Sequence, residues 1–389
     1  RDLALILPEA LQRNIPVIIG SAGGSGAKAH LDWNREIIEE IAAEQQLNFT
    51  MAVIPADIDK EYLLDNLAKT SPLGPLPDLD AETVRDATAI VAQMGWEPFA
   101  AALDQGAQVV LAGRAYDPAV FAALAIRKGF APGPALHMGK ILECAAIAAD
   151  PGSGRDCMVG ILDQEGFTLF PTNPQRRCTV KSVAAHSLYE KSNPWLLPGP
   201  GGALDLSQAK YSQVDDRSVR VTGSVHVPAD FQVKLEGVRL VGFRTLAIAG
   251  IRDPILIGQL DFVLDEVKAA VQDNFEDAKG YNLHFLIYGQ KGVMGDLEPT
   301  PTPGHEVGLV IDVVAPSQEM ANTVCSFCRS TLLHYGYPGR VATAGNLALP
   351  YSPSDIVAGP VYEFCIHHLL PAGPNYFKAE IMEVGKCAK

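Results

Sequence analysis

The feature that most constrains this chain is a short apolar run that ends at a glycine and is followed by a helical segment. It occurs at 15–19, which is followed by Gly20, and again at 108–112, which is followed by Gly113. Apolar runs of this length beside a glycine are typical of buried strands. Because strands that alternate with helices favour a largely parallel sheet with helices on both faces, we expect an α/β domain in the N-terminal half.

The C-terminal half predicts a second, smaller domain. Its segments follow the order strand, helix, strand, strand, helix, at 238–249, 254–274, 283–288, 307–314 and 317–334. That order is typical of a ferredoxin-like α+β layer. A chain of 389 residues exceeds one ordinary core. We therefore divide it into an α/β domain, 1–206, an α+β domain, 207–370, and a tail, 371–389, to which no role is assigned.

Three local patterns of the first domain carry structural predictions of their own. Helical periodicity predicts one helix over 80–102. Asp32 is expected to be the N-cap of the helix that follows the first glycine loop. Prolines and glycines in quick succession between 150 and 206 predict a long irregular connector, part of which, 170–205, covers the site.

The net charge argues against some partners, and the cysteine content indicates the redox state of the thiols. The formal net charge of −14 argues against nucleic acid and anionic membrane surfaces. No apolar stretch approaches the roughly 18 residues of a membrane span, and the N-terminus lacks a signal-peptide pattern. Seven cysteines, spread over the chain, favour reduced thiols over a disulfide framework. These observations predict a cytoplasmic protein, which we expect to form a homo-oligomer.

The strongest local signal is the glycine-rich loop after the first apolar run. It contains Gly23, Gly24, Ser25 and Gly26, and glycines let backbone N–H groups approach a ligand closely. Because the loop precedes a helix N-terminus, it predicts an anionic ligand. No Gly-Lys-Ser/Thr closes it as in a P-loop, and its match to the dinucleotide pattern is a relaxed one. A tight turn without a ligand is the alternative.

A second polar loop, which contains Arg114 and Asp117, follows the other apolar run. Because the carboxyl ends of parallel strands share one edge of a sheet, we expect both loops to face one crevice. Arg114 is a candidate for binding a carboxylate with two N–H groups. Asp117 either orients Arg114 or acts as a base. A helix-capping Asp117 in a structural ion pair is the alternative.

A polar helix face is predicted at His137, Lys140 and Glu143, which are three residues apart. Inside an apolar stretch such a face can supply a general acid or base, although a solvated face is equally consistent. Cys144 is interpreted as a small buried hydrophobe rather than a nucleophile.

Two patterns of the C-terminal half are first interpreted as structural. Cys325-x-x-Cys328 has no second ligand pair at zinc spacing, so core packing is favoured and no metal site is predicted. Asn346 lies among turn-forming residues. It either binds nearby backbone or donates to a substrate oxygen across the domain interface.

Several long segments resemble the acyclic terpene utilisation (AtuA-like) family. They are 18–33, 110–117, 137–144, 178–186 and 343–355. The resemblance covers the chain to about residue 370. It implies a role in the catabolism of branched acyl-CoA intermediates or of organic acids, in some members with a small companion domain. It supplies no catalytic residues, so the roles assigned below rest on chemistry.

The polar groups predict a hydro-lyase that acts on a small di- or tricarboxylic acid or a branched acyl-CoA. In this hypothesis Arg114 and Lys181 hold carboxylates, assisted by Lys140, and His137, Glu143, Asp117 or His186 moves the proton. No nucleotide or metal signature accompanies them, and a CoA thioester enters only as part of a substrate. One alternative is a nicotinamide-dependent oxidoreductase that uses the glycine-rich loop, with Asp57 on the ribose. Another is a non-catalytic subunit of a two-component enzyme.

Overall fold

A computed structural model of the chain describes residues 1–189, 193–300, 302–341 and 343–385. The chain forms two compact units. The first unit comprises Arg1–Val238 and Phe364–Lys389, and the second comprises Arg239–Glu363. The domain bounds at 206 and 370 stay a prediction; in the structure, strands between 207 and 238 pair with strands of the N-terminal half.

The helices of the first unit are α1 Asp2–Gln12, α2 Lys28–Glu44, α3 Lys60–Asp65, α4 Ala81–Asp86, α5 Glu97–Asp104, α6 Asp117–Arg127, α7 Pro132–Leu142 and α8 Val180–Leu188. Its strands are β1 Val17–Ile19, β2 Phe49–Ile54, β3 Ser71–Pro72, β4 Ala89–Ala92, β5 Val109–Ala112, β6 Met158–Leu162, β7 Gly166–Pro171, β8 Leu196–Gly199, β9 Gly202–Asp205, β10 Lys210–Gln213, β11 Val219–Thr222 and β12 Val225–Pro228. The long strands β13 Val233–Ile251 and β16 Asp355–Leu370 each contribute one end to this unit, and β17 Glu380–Val384 follows.

The central sheet of the first unit has the strand order β1-β5-β2-β17. Strands β1, β5 and β2 are parallel, with Val110 of β5 opposite both Ile18 and Ala52. The side chains of β5 are buried throughout, as expected for a strand with neighbours on both sides and helices on both faces. The mixed α/β architecture with a largely parallel sheet is therefore confirmed. Strand β17, which the sequence analysis did not predict, pairs antiparallel with β2.

Three local predictions for this unit are wrong. The segment 80–102 is not one helix, because Ile90 and Val91 lie in β4, which pairs antiparallel with the start of β13. Asp32 lies inside α2, where its carboxylate accepts from Lys28 Nζ at 2.6 Å. The segment 150–206 is not one irregular connector, because its described residues include the hairpins β6–β7 and β8–β9 and helix α8.

The second unit contains the end of β13, then α9 Pro254–Ile257, α10 Leu260–Asn274, β14 Asn282–Tyr288, β15 Val307–Ala315, α11 Gln318–His334 and the start of β16. These elements follow one another as predicted, except that the predicted helix 254–274 is divided into α9 and α10 and that β16 comes after α11. Val263, Val267 and Val271 recur every four residues on α10 and are fully buried, so this helix packs an apolar stripe onto the sheet. Ser317 is the N-cap of α11, and its hydroxyl accepts from Met320 N at 3.2 Å.

Candidate functional site

The two predicted strand-end loops lie against each other. Ser21 N donates to Gly113 O at 2.9 Å, and Arg114 N donates to Gly26 O at 3.2 Å. Gly26 has a φ of +67°, and a Cβ at this position would lie 2.1 Å from Arg114 N. Only glycine fits such an approach, so the loop sequence itself brings the two strand ends together.

The Arg114 guanidinium is held on two of its three nitrogens. Its Nε donates to Glu236 Oε2 at 2.7 Å, and its Nη1 donates to Ser21 Oγ at 2.9 Å and to Asp117 Oδ1 at 3.1 Å. The side chain is 17% exposed, whereas that of Asp117 is 47% exposed. Among the residues that the structure describes, Nη2 has no hydrogen-bond partner. Arg114 therefore has one nitrogen, Nη2, available to a ligand, and it lies beside the solvent-exposed carboxylate of Asp117.

The sequence analysis did not identify Glu236, the residue of β13 that forms an ion pair with Arg114. Glu236 also accepts from Lys234 Nζ at 2.7 Å and from Gln93 Nε2 at 3.3 Å. Burial raises the pKa of Glu236, but the hydrogen bonds from Arg114 and Lys234 together outweigh burial and hold the pKa below its usual range. Lys234 and Glu236 are two residues apart and so lie on one face of the strand, which is the signal that the sequence offered.

Tyr116 lies next to this cluster at the N-terminus of α6. Burial, and then the charges of Glu143 and Asp117, raise the pKa of its phenol. The hydroxyl therefore stays protonated and can act only as a neutral group that donates or accepts a hydrogen bond. A Cβ at Gly199 would lie 2.8 Å from the Tyr116 ring, so the β8–β9 hairpin packs directly on it.

Helix α7 brings Lys140 and Glu143 to the same end of α6. A Cβ at Gly139 would lie 2.4 Å from Pro118 O, so the two helices approach at a glycine. Lys140 is 4% exposed; its Nζ lies 2.5 Å from Glu143 Oε1 and 4.8 Å from the centre of the Tyr189 ring. Tyr189 OH in turn lies 3.2 Å from Cys144 Sγ. The predicted i,i+3 pair is present, as a buried ion pair rather than a solvated face.

His137, the third residue predicted for that face, lies in the core. It is fully buried, with Nδ1 2.6 Å from Ser224 Oγ and Nε2 3.0 Å from Ser187 Oγ. Burial, and to a smaller extent Lys140, lowers the pKa of the imidazole to about 3. A neutral imidazole has one donor and one acceptor, and both are used here. His137 therefore has a structural role in this protein, because its buried ring is not accessible to a substrate.

The two predicted residues of α8 differ in exposure. His186 is 7% exposed, and its ring packs on that of Tyr189 with 4.6 Å between the centres. Lys181 is exposed in the first turn of the same helix. His186 thus adjoins the Lys140 pair through Tyr189, whereas no described contact connects Lys181 to Arg114.

Several polar groups of the glycine-rich loop form hydrogen bonds within the loop or with the helix that follows it. Gly24 N donates to Ser21 O and Gly26 N donates to Ala22 O, and Ser25 Oγ lies 2.7 Å from His30 Nδ1. Gly23 is exposed at a φ of +64°. Asp57, proposed for ribose, accepts from Lys28 N at 3.1 Å and so caps α2. These contacts favour a self-closed turn over a dinucleotide loop.

The C-terminal candidates lie in the second unit. Asn346 Nδ2 donates to Leu332 O and Tyr335 O, both at 2.8 Å, so its amide caps the end of α11. Cys325 and Cys328 are fully buried in the core. Within the described residues, no group of three or more His, Cys, Asp or Glu side chains is arranged to hold a metal ion.

Comparison with known families gives one match. The family model described as acyclic terpene utilisation family protein AtuA matches residues 1–156 and 161–354. The chain belongs to the acyclic terpene utilisation family. The match to this AtuA family includes both strand-end loops, the Lys140–Glu143 pair and Glu236.

Other comparisons add no relative to the AtuA match. No curated protein matches the chain, and no solved structure does. In the part of the chain that the structure describes, no helix has both the length and the apolar character needed to cross a membrane.

Proposed function

We propose that this protein is a hydro-lyase that adds or removes water on a small carboxylic acid or its CoA thioester. The candidate site is the cluster of Ser21, Arg114, Tyr116, Asp117 and Glu236 at the strand ends of the first unit. A di- or tricarboxylic acid and a branched acyl-CoA are the two substrate classes that we expect.

The open edge of Arg114 is the observation that supports this proposal. Glu236, Ser21 and Asp117 fix the plane of the guanidinium before any ligand arrives. A carboxylate or thioester oxygen that accepts from Nη2 is therefore placed beside the half-exposed Asp117. A preorganised donor of this kind stabilises negative charge that develops on the substrate.

The chemistry in the dehydration direction needs one base. Asp117 takes the proton from the carbon next to the carboxyl group, and the electrons of that C–H bond pass into the carboxyl oxygens held by Arg114. They return to form the carbon–carbon double bond as the C–O bond of the neighbouring hydroxyl breaks. The leaving hydroxide takes the proton back from Asp117, so one water is released and the carboxylate is regenerated. Tyr116, still protonated, donates a hydrogen bond to the leaving oxygen.

The test is a screen for turnover with matched variants. Fumarate, cis-aconitate and 3-methylcrotonyl-CoA represent the dicarboxylate, tricarboxylate and branched enoyl-CoA classes, and loss of the conjugated alkene is followed by absorbance. Asp117→Asn is expected to lower turnover by at least about 100-fold, as for loss of a general base. Asp104→Asn removes the same group from the exposed Arg127–Asp104 pair and should leave turnover unchanged. Absence of wild-type turnover across the panel, or equal rates in both variants, contradicts the proposal.

A further inference from the structure

The β8–β9 hairpin closes over two ionisable side chains at once. Its turn consists of Gly199, Pro200, Gly201 and Gly202, which join the paired strands. Gly201 has a φ of +73°, as expected for glycine after proline in a type II turn. Gly199 packs on the ring of Tyr116. Pro200 packs against Gly95.

Glu97 lies beneath this turn in the first turn of α5. A Cβ at Gly95 would lie 2.3 Å from Glu97 Oε2 and 3.2 Å from Pro200 Cβ, and a Cβ at Gly201 would lie 3.7 Å from Glu97 Oε1, so the turn lies close to the carboxyl group. Oε2 is buried, and no donor of the described residues reaches it. Pro200 has no N–H to offer, and Gly95 has no side chain. Oε2 of an ionised Glu97 would therefore have lost water without gaining a hydrogen bond from a neighbouring residue.

We infer that the turn 199–202 is a cover over Tyr116 whose opening is coupled to the ionisation of Glu97. With Glu97 protonated, the apolar atoms of Pro200 pack on a neutral carboxyl group. Ionisation favours access of water to Oε2, and we expect movement of the turn away from Gly95 to admit that water. The closed turn is thus favoured at acidic pH and the open turn at higher pH. This inference does not depend on the proposed reaction.

No charged neighbour is responsible for the raised pKa of Glu97. Burial raises its pKa, and the hydrogen bond from its own backbone N–H offsets this in part. The ionisable groups near the turn are Tyr116 under Gly199 and His226, whose Nε2 would lie 2.6 Å from a Cβ at Gly202. Lys378 lines an open groove of about 550 Å³ together with Glu97. Burial raises the pKa of Tyr116 and lowers that of His226, so both favour their neutral forms.

Hydrogen–deuterium exchange of peptides that cover 196–206 tests the inference. After correction for the intrinsic pH dependence of exchange, wild-type protection is expected to fall as the pH rises above 4.5. Each unit by which closure raises the pKa of Glu97 corresponds to a tenfold change in the ratio of open to closed turn. Glu97→Gln cannot ionise, so its hairpin should stay protected at pH 8. Glu82→Gln, at an exposed glutamate in the first turn of α4, should behave as wild type.

Three results would overturn the inference. The first is a wild-type hairpin with equal corrected protection at pH 5 and pH 8, which needs no variant at all. The second is a Glu97→Gln protein that keeps its far-ultraviolet dichroism and still shows the wild-type pH response. The third is the same loss of response in Glu82→Gln.

Discussion

The clusters around Arg114 and His137 lie in the same unit and combine similar groups, yet they differ in what they leave unused. His137 is sealed from solvent, and two serine hydroxyls engage both its ring nitrogens. Arg114 keeps one guanidinium nitrogen without a partner among the described residues, beside the half-exposed Asp117. Unused hydrogen-bonding capacity at a reachable surface, rather than residue type, distinguishes a candidate site from a structural polar group.

Replacing His137 is expected to give the largest effect, and on stability alone. His137→Ala opens a cavity and leaves the buried Ser224 hydroxyl without its partner, whereas Ser187 still donates to Val183 O, so the free energy of unfolding should fall by about 3–5 kcal/mol. Urea unfolding measures this. His367→Ala, at an exposed histidine of the same unit, should cost less than about 1 kcal/mol. An equal loss of unfolding free energy in the two variants would contradict a structural role for His137.

The approach of the two loops is tested by a pair of glycine variants. Both Gly24 and Gly26 have positive φ, but only at Gly26 does a Cβ meet backbone, 2.1 Å from Arg114 N. Gly26→Ala is expected to cost about 3 kcal/mol, because strain and a steric clash add. Gly24→Ala should cost only the strain, about 1–2 kcal/mol. Similar melting temperatures for the two variants would show that the loops do not depend on this contact.

The buried imidazole predicts a pH dependence of stability. In the unfolded chain His137 takes up a proton near pH 6.5, whereas in the folded protein its pKa is about 3. Its contribution is fully present above pH 6.5 and is lost as the pH falls toward 3. Between pH 6 and 4, stability should fall less steeply in His137→Gln than in wild type, by about 1.4 kcal/mol per pH unit. Parallel curves would mean that the histidine is accessible to protons.

A smaller effect is expected at the end of α11. Asn346→Ala removes two hydrogen bonds, one to the carbonyl of Leu332 in α11 and one to that of Tyr335 just after it, which should cost about 1–2 kcal/mol in unfolding free energy. Asn346→Asp keeps the shape but loses the donors, so it should cost at least as much. An unchanged free energy of unfolding in both variants would contradict the capping role of Asn346.

The sequence predicted features that depend on neighbouring residues and missed those that depend on contacts between residues far apart in the chain. The apolar runs, their glycines and the position of Arg114 are local signals, and they predicted the parallel strands and their adjoining loops. Glu236 is 122 residues from its partner, and β17 pairs with a strand more than 300 residues earlier. Such pairings leave no local periodicity. The i,i+3 spacing of His137, Lys140 and Glu143 predicted a shared helix face but not its burial, because burial depends on Ser187, Ser224 and Tyr189.

The measurement that tests the site most directly is isothermal titration calorimetry with fumarate, cis-aconitate and 3-methylcrotonyl-CoA. Wild type, Arg114→Gln and Arg127→Gln are compared, the last removing an exposed arginine paired with Asp104. Loss of a partly buried charge–carboxylate contact costs roughly 2–4 kcal/mol, so the Kd of the bound compound should rise about 30- to 1000-fold in Arg114→Gln and stay unchanged in Arg127→Gln. Equal affinity of Arg114→Gln and wild type, or no binding of any of the three compounds to wild type, would contradict a carboxylate site at Arg114.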